Sequence, residues 1–315
     1  MAAELPCRSF VGGSYFTLMF RRMTRLFACL SLLTVAGLAG CNLQKDIDVP
    51  QPAYQEQLVV ECTLVPGEPY QLIVQRTRPF LAPLPQPAPG DTSGFSFDLD
   101  AVPTDAVVVI RGPRGTDTLR FSPRFDDTSA VTPRGYTHTS ARIFDGQPGE
   151  VYTLLVYDGA GHRVTGATTV LAPVPIDTVE VTFNPDAATS ADAKAALLTR
   201  YRDPAPLGDS YRYQTSKITR GRFDEQQSFE FDDARFNGRP SAVGSSYRFG
   251  QNDTVDVALY RISRAYQLFL ESVDAAQGAN GNPFAQPASI KSTVEGGIGV
   301  FTSLAGTHQR LILKR

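Results

Sequence analysis

Short runs in which apolar and polar side chains alternate, each cut by a turn rich in Gly or Pro, dominate this chain. A period of two puts successive side chains on opposite faces of a strand, so such a run buries one face and wets the other. Segments 58–64 (LVVECTL) and 70–76 (YQLIVQR) flank Pro66-Gly67-Glu68-Pro69. Segments 106–111 (AVVVIR) and 116–121 (TDTLRF) flank Gly112-Pro113-Arg114-Gly115. Segments 149–157 and 162–171 flank Asp158-Gly159-Ala160-Gly161. Tight turns between alternating runs at short, regular intervals predict antiparallel hairpins and a sandwich. With 26 Gly and 23 Pro in 315 residues, turn residues are plentiful enough for that architecture. Segment 80–94 carries Pro83, Pro85, Pro87 and Pro89. It lacks ladder donors there and is predicted to be an exposed loop.

The alternation pauses at Ala172-Pro173-Val174-Pro175, the predicted domain boundary. The expected fold class is mainly β. An immunoglobulin-like antiparallel sandwich over 57–172 precedes a β-rich second domain over 176–315. In the second half, 178–183, 211–219, 229–236 and 254–262 read as strands. Segment 193–202 has helical propensity, but Leu197, Thr199 and Tyr201 alternate, which favours a strand. One amphipathic helix is predicted over 263–277. Ile262, Tyr266, Phe269, Leu270 and Val273 share one face, Ser263 is its N-cap, and Gly278 and Gly281 close it. Too few Lys and Arg lie on its polar face for a membrane-active helix.

The first forty residues have another pattern. Arg21, Arg22 and Arg25 precede LFACLSLLTVAGL (26–38). That apolar run is shorter than the ~20 residues of a spanning helix and fits a signal-peptide core. It ends in Leu38-Ala39-Gly40-Cys41, which resembles the bacterial lipobox, where the Cys is lipidated and becomes the mature N-terminus. Met19 or Met23 would give an ordinary signal length, so the stretch before them reads as an over-called start. Residues 41–56 form the lipidated tether. Within it Gln44, Lys45, Asp46 and Asp48 resemble the export signal that sends lipoproteins to the outer face of the outer membrane. Pro50 and Pro52 stiffen the linker between that signal and the first strand. Removal of 1–40 takes away four Arg and one Glu, moving the net charge from −2 to −5. No basic excess exists to bind nucleic acid. Of four Cys, only Cys62 then remains as a free thiol, read as a small buried hydrophobe.

Catalytic motifs are scarce. No Gly-x-Ser-x-Gly elbow and no His-Glu-x-x-His occurs. His138, His162 and His308 are scattered, and His162 follows a hairpin turn where solvent is expected. The Gly296–Gly299 cluster lacks a following Lys-Ser/Thr and reads as a close-packed turn or bulge. Asp224, Glu230, Asp232 and Asp233, with Glu225, are weak calcium candidates, because hard oxygen ligands at that density suit Ca²⁺. Alternation in Phe229-Glu230-Phe231-Asp232 instead favours a solvated strand face. No cofactor is expected beyond covalent lipid on Cys41. Tyr and Arg crowd the second half, and both are residues that interfaces favour. Tyr211, Arg212, Tyr213 and Arg235 are the interface candidates.

The end of the chain reads Gly281-Asn282-Pro283-Phe284-Ala285-Gln286-Pro287, then Ile290 to Val294 (IKSTV), then Gly296-Gly297-Ile298-Gly299-Val300-Phe301. With the strand and helix of 253–277, it resembles the C-terminal signature of the DUF4249 family of Bacteroidetes outer-membrane lipoproteins. Segment 58–64 is similar to that family's first strand, and Arg235-Phe236-Asn237-Gly238 to its mid-chain turn. The family pattern has an Asn before the Gly-rich segment, where this chain has Thr293. The resemblance implies a surface lipoprotein encoded beside TonB-dependent receptors, with no enzymatic activity attached. The expected function is therefore a non-enzymatic accessory or binding partner of a TonB-dependent transporter. The alternative is a free-standing adhesion or glycan-binding lipoprotein, and a surface hydrolase is a distant third.

Overall fold

The computed structural model describes residues 54–79, 99–126, 134–185, 193–205, 207–279 and 289–315. Cys41, the export residues Gln44, Lys45, Asp46 and Asp48, the Pro-rich segment 80–94 and Gly281 to Pro287 lie outside them. The first half supplies β1 (Leu58–Leu64), β2 (Pro69–Arg76), β3 (Val107–Gly112), β4 (Gly115–Leu119), β5 (Phe121–Asp126), β6 (Arg134–Ile143), β7 (Val151–Tyr157) and β8 (Arg163–Thr169). The second half supplies β9 (Ile176–Phe183), β10 (Lys194–Arg202), β11 (Ser210–Thr219), β12 (Arg222–Asp232), β13 (Pro240–Gly244), β14 (Phe249–Gly250) and β15 (Thr254–Ile262). Helix α1 (Arg264–Ala279) follows, then β16 (Val294–Glu295), β17 (Ile298–Ser303) and β18 (Ala305–Ile312). The molecule is mainly β, as the alternation predicts.

Four sheets form two sandwiches. In the first, the sheet β17-β1-β2-β6-β5 faces the sheet β16-β8-β7-β3-β4. Leu58, Val60, Cys62, Leu72 and Val74 meet Val108, Ile110, Leu154, Val156 and Val164 in one core. In the second, β13-β10-β14, with β9 on β10, faces β12-β11-β15-β18. Leu197 and Phe249 there meet Tyr213, Val255 and Val257. Segment 194–202 is a strand, because its alternation fits the pleat and buries Leu197, Thr199 and Tyr201 in turn. Strand β12 ends at Asp232, so Phe236, predicted in it, lies in the following turn and packs edge-on against Tyr201.

The domain division needs correcting. Residues 294–303, expected within the second domain, complete the first sandwich. Strand β17 runs parallel to β1, with Val60 opposite Gly299 and Cys62 opposite Phe301, and β16 pairs with β8. The glycines make this approach possible. Gly299 holds φ +133, and a Cβ there would meet the Val60 carbonyl oxygen at 1.9 Å. A Cβ on Gly296, at φ +80, would likewise meet the Arg163 carbonyl oxygen, at 2.2 Å. Thr293 closes the loop between β16 and β17. Its Oγ1 accepts the Phe301 N–H at 2.8 Å, and its N–H donates to the Gly299 carbonyl at 3.0 Å. Only Leu304 then separates β17 from β18, which returns to the second sandwich.

Helix α1 seals this crossing. Ser263 Oγ accepts the Tyr266 N–H at 3.2 Å, as its N-cap role requires. Gly278, expected to close the helix, lies inside it. The apolar face of α1 covers Ala258, Tyr260 and Ile262 of β15 together with Val300 of β17 and Leu304. Strand β15 is thereby buried on both faces, which explains why TVDVALYRI is more apolar than its neighbours.

Candidate functional site

Two clefts open where the sandwiches meet. The first, about 420 Å³, is lined by Val65, Pro66, Pro148, Pro173, Tyr260 and His308. Strands β15 and β18 pair antiparallel with Ala258 opposite His308 and Asp256 opposite Arg310. This register sets a chain of three groups: Tyr260 Oη lies 3.1 Å from His308 Nε2, and His308 Nδ1 lies 2.8 Å from Asp256 Oδ2. Burial, then the Asp256 charge, pushes the Tyr260 hydroxyl far above its ordinary pKa. The phenol therefore stays protonated and shares one hydrogen bond with Nε2, while Nδ1 shares another with Asp256. A tyrosine nucleophile needs the opposite shift. The three groups order the cleft wall.

The second cleft, about 360 Å³, is lined by Pro173, Pro175, Asp177, Arg202, Asp203 and Arg261. Behind it lie three buried carboxylates. Asp203, Asp209 and Asp233 each present an oxygen within 4.8 Å of the others. Asp203 follows β10, and its Oδ2 accepts the Gly238 N–H at 2.7 Å while its Oδ1 accepts the Tyr211 hydroxyl. Asp209 precedes β11, and its Oδ1 accepts Arg261 Nε at 2.9 Å. Asp233 follows β12, and its Oδ2 accepts the Gly208 N–H at 2.9 Å. Three strand ends of the second sandwich thus deliver one carboxylate each to one point.

The sequence-derived site residues fare unevenly. Of the calcium candidates, only Asp233 reaches this cluster. Asp232 faces Arg264 at 3.3 Å, Glu230 faces Arg212 at 3.6 Å, and Asp224 accepts Gln226 Nε2 at 2.7 Å. These three carboxylates pair with separate neighbours along β12 and do not converge on one point. The interface assignment of Tyr211 and Tyr213 is corrected, because both are fully buried. Tyr211 stacks on Phe231 at 5.3 Å, and Tyr213 packs between the sheets of the second sandwich. Arg212 is largely buried as well, donating to Ser228 Oγ at 2.8 Å and to Tyr266 Oη at 3.1 Å under α1. Among the four, Arg235 alone is exposed. His162 is not simply solvated, since its Nδ1 sits 2.9 Å from Asp158 Oδ2. Cys62 is buried as read, and burial pushes its thiol far up in pKa.

Asp203 and Asp209 carry no sequence motif. Their one signal is position: Asp203 precedes Pro204, and Asp209 follows Gly208, both in a turn between strands.

The family model described as a domain of unknown function, DUF4249, matches residues 44–310. The chain belongs to the DUF4249 family. The match spans both sandwiches, including Gly296–Gly299 and the carboxylate cluster. No curated protein matches the chain. No helix among the described residues is long and apolar enough to cross a membrane.

Proposed function

We propose that this DUF4249 protein is a lipid-anchored outer-membrane protein facing the cell exterior, and that it works without catalysis as an accessory or binding partner of a TonB-dependent transporter. One observation carries the reading. A basic run, an apolar core of signal length, Leu38-Ala39-Gly40-Cys41 and the acidic cluster of Gln44 to Asp48 succeed one another in order. The compact unit of both sandwiches starts shortly after them, at Tyr54. Acylation at Cys41 supplies the two or more chains that lasting attachment needs. The transporter partnership rests on the family resemblance. Tyr201, Tyr211 and Tyr213 are spent on the core of the second sandwich, and the Tyr260–His308–Asp256 chain carries a phenol held protonated. The second point argues against Tyr260 as the nucleophile of a hydrolase.

Affinity purification of the tagged full chain from membranes in mild detergent tests the partnership. The expected result is a large β-barrel retained in near-stoichiometric amount. A clean preparation without a barrel would contradict the accessory role and favour the free-standing adhesin.

A further inference from the structure

We infer that Asp203, Asp209 and Asp233 form a binding site for a hard divalent cation, with calcium the best fit. Oxygen ligands bound to one Ca²⁺ at 2.3–2.6 Å lie no more than about 5 Å apart, and these three carboxylates present oxygens within 4.8 Å of one another. Asp203 and Asp233 are each 2 % exposed and Asp209 is 8 % exposed.

The hydrogen bonds already made do not complete the cluster. Asp209 Oδ2 is buried and has no donor, although Oδ1 of the same group takes both bonds from Arg261. Asn237, beside the Gly238 that binds Asp203, holds its Oδ1 buried and without a partner. Tyr201, 1 % exposed, packs its ring 5.5 Å from that of Tyr211, whose hydroxyl reaches Asp203. The Tyr201 hydroxyl makes no hydrogen bond of normal geometry.

Charge gives the same answer. Among the described residues, Arg261 is the one cation that hydrogen-bonds to the three carboxylates. One guanidinium against three carboxylates leaves two negative charges uncompensated in the interior, where an unpaired charge is costly. A divalent ion cancels them. All-oxygen donors exclude the thiolate and imidazole chemistry of zinc, and a carboxylate-rich buried set suits calcium better than magnesium, which retains its waters. The adjoining cleft beside Asp203 provides the entry path. The ion would tie the turn 203–209 to the turn 232–238, and through Arg261 to β15 at the seam between the sandwiches. This inference is independent of the transporter reading.

The test is calcium titration of the full chain after stripping with chelator, by calorimetry and by thermal unfolding. One ion per chain is expected, with Tm raised by about 5 °C at one hundred times Kd. Asp209→Asn and Asp233→Asn should each weaken binding at least about tenfold, since each removes a ligand charge. Asp224→Asn, on β12 but outside the cluster, should leave it unchanged. No binding and no rise in Tm at about 10 mM calcium, above the range of weak extracellular sites, would overturn the inference, and so would binding that survives in either folded cluster variant. The wild-type titration decides the matter even if a variant fails to fold.

Discussion

At the residue scale, Gly299 is the position least able to accept change. Its φ is +133, and any Cβ would run into the Val60 carbonyl. Gly299→Ala should cost at least about 3 kcal/mol in denaturant unfolding, because strain and a backbone clash add at one site. Gly67, also at positive φ but with open space around it, should cost less. His138 gives a pH signature. Its ring is buried, with Nε2 3.2 Å from the Ala106 carbonyl and Nδ1 2.9 Å from Thr137 Oγ1. Burial lowers its pKa, against a smaller opposing effect of Ala106. The unfolded chain therefore binds a proton that the folded chain refuses, so stability falls as pH drops below about 6.5. His138→Gln should flatten that slope in unfolding measured across the window. An unchanged slope would place the pH dependence elsewhere.

At the element scale, much is legible because hairpins are local. Gly112-Pro113-Arg114-Gly115 joins β3 to β4 with Gly112 opposite Gly115, and Asp158–Gly161 joins β7 to β8. Strand β15 and helix α1 are readable from their own periodicities. The return of β17 to β1 is not, since parallel pairing across most of the chain leaves no local signature. Its trace is the Gly cluster, which reads as a close approach without naming what approaches. The carboxylate cluster is hidden for the same reason. Asp203, Asp209 and Asp233 converge only once β10, β11 and β12 are placed, whereas the acidic run on β12 is denser in sequence but is spread along an extended strand among separate partners. Likewise, the aromatic-rich stretch has the composition of an interface, but alternation turns Tyr211 and Tyr213 inward. Helix α1 offers a direct check. Phe269→Ala removes a ring stacked on Tyr266 beneath the helix and should cost about 3–4 kcal/mol. Ser263→Ala should cost about 1 kcal/mol through the lost cap.

At the scale of the whole molecule, the chain crosses between the sandwiches three times: after β8, after α1 and at Leu304. The first half does not hold all the strands of its own sandwich, because β16 and β17 come from the second. Expressed alone, residues 57–172 lack β16 and β17, lose Val294 and Phe301 from their core and expose the β1 edge. That fragment should fail to fold, while the full chain should unfold in one cooperative transition. Two separate transitions would contradict the interlocked arrangement. The proposed function depends on attachment through Cys41. Replacing Cys41 with Ser and fractionating the cells puts it to the proof. The wild type should sediment with the outer membrane and be cut by protease added to intact cells, while Cys41→Ser should leave the membrane fraction. A Cys41→Ser protein that stays in the membrane would contradict the lipid anchor.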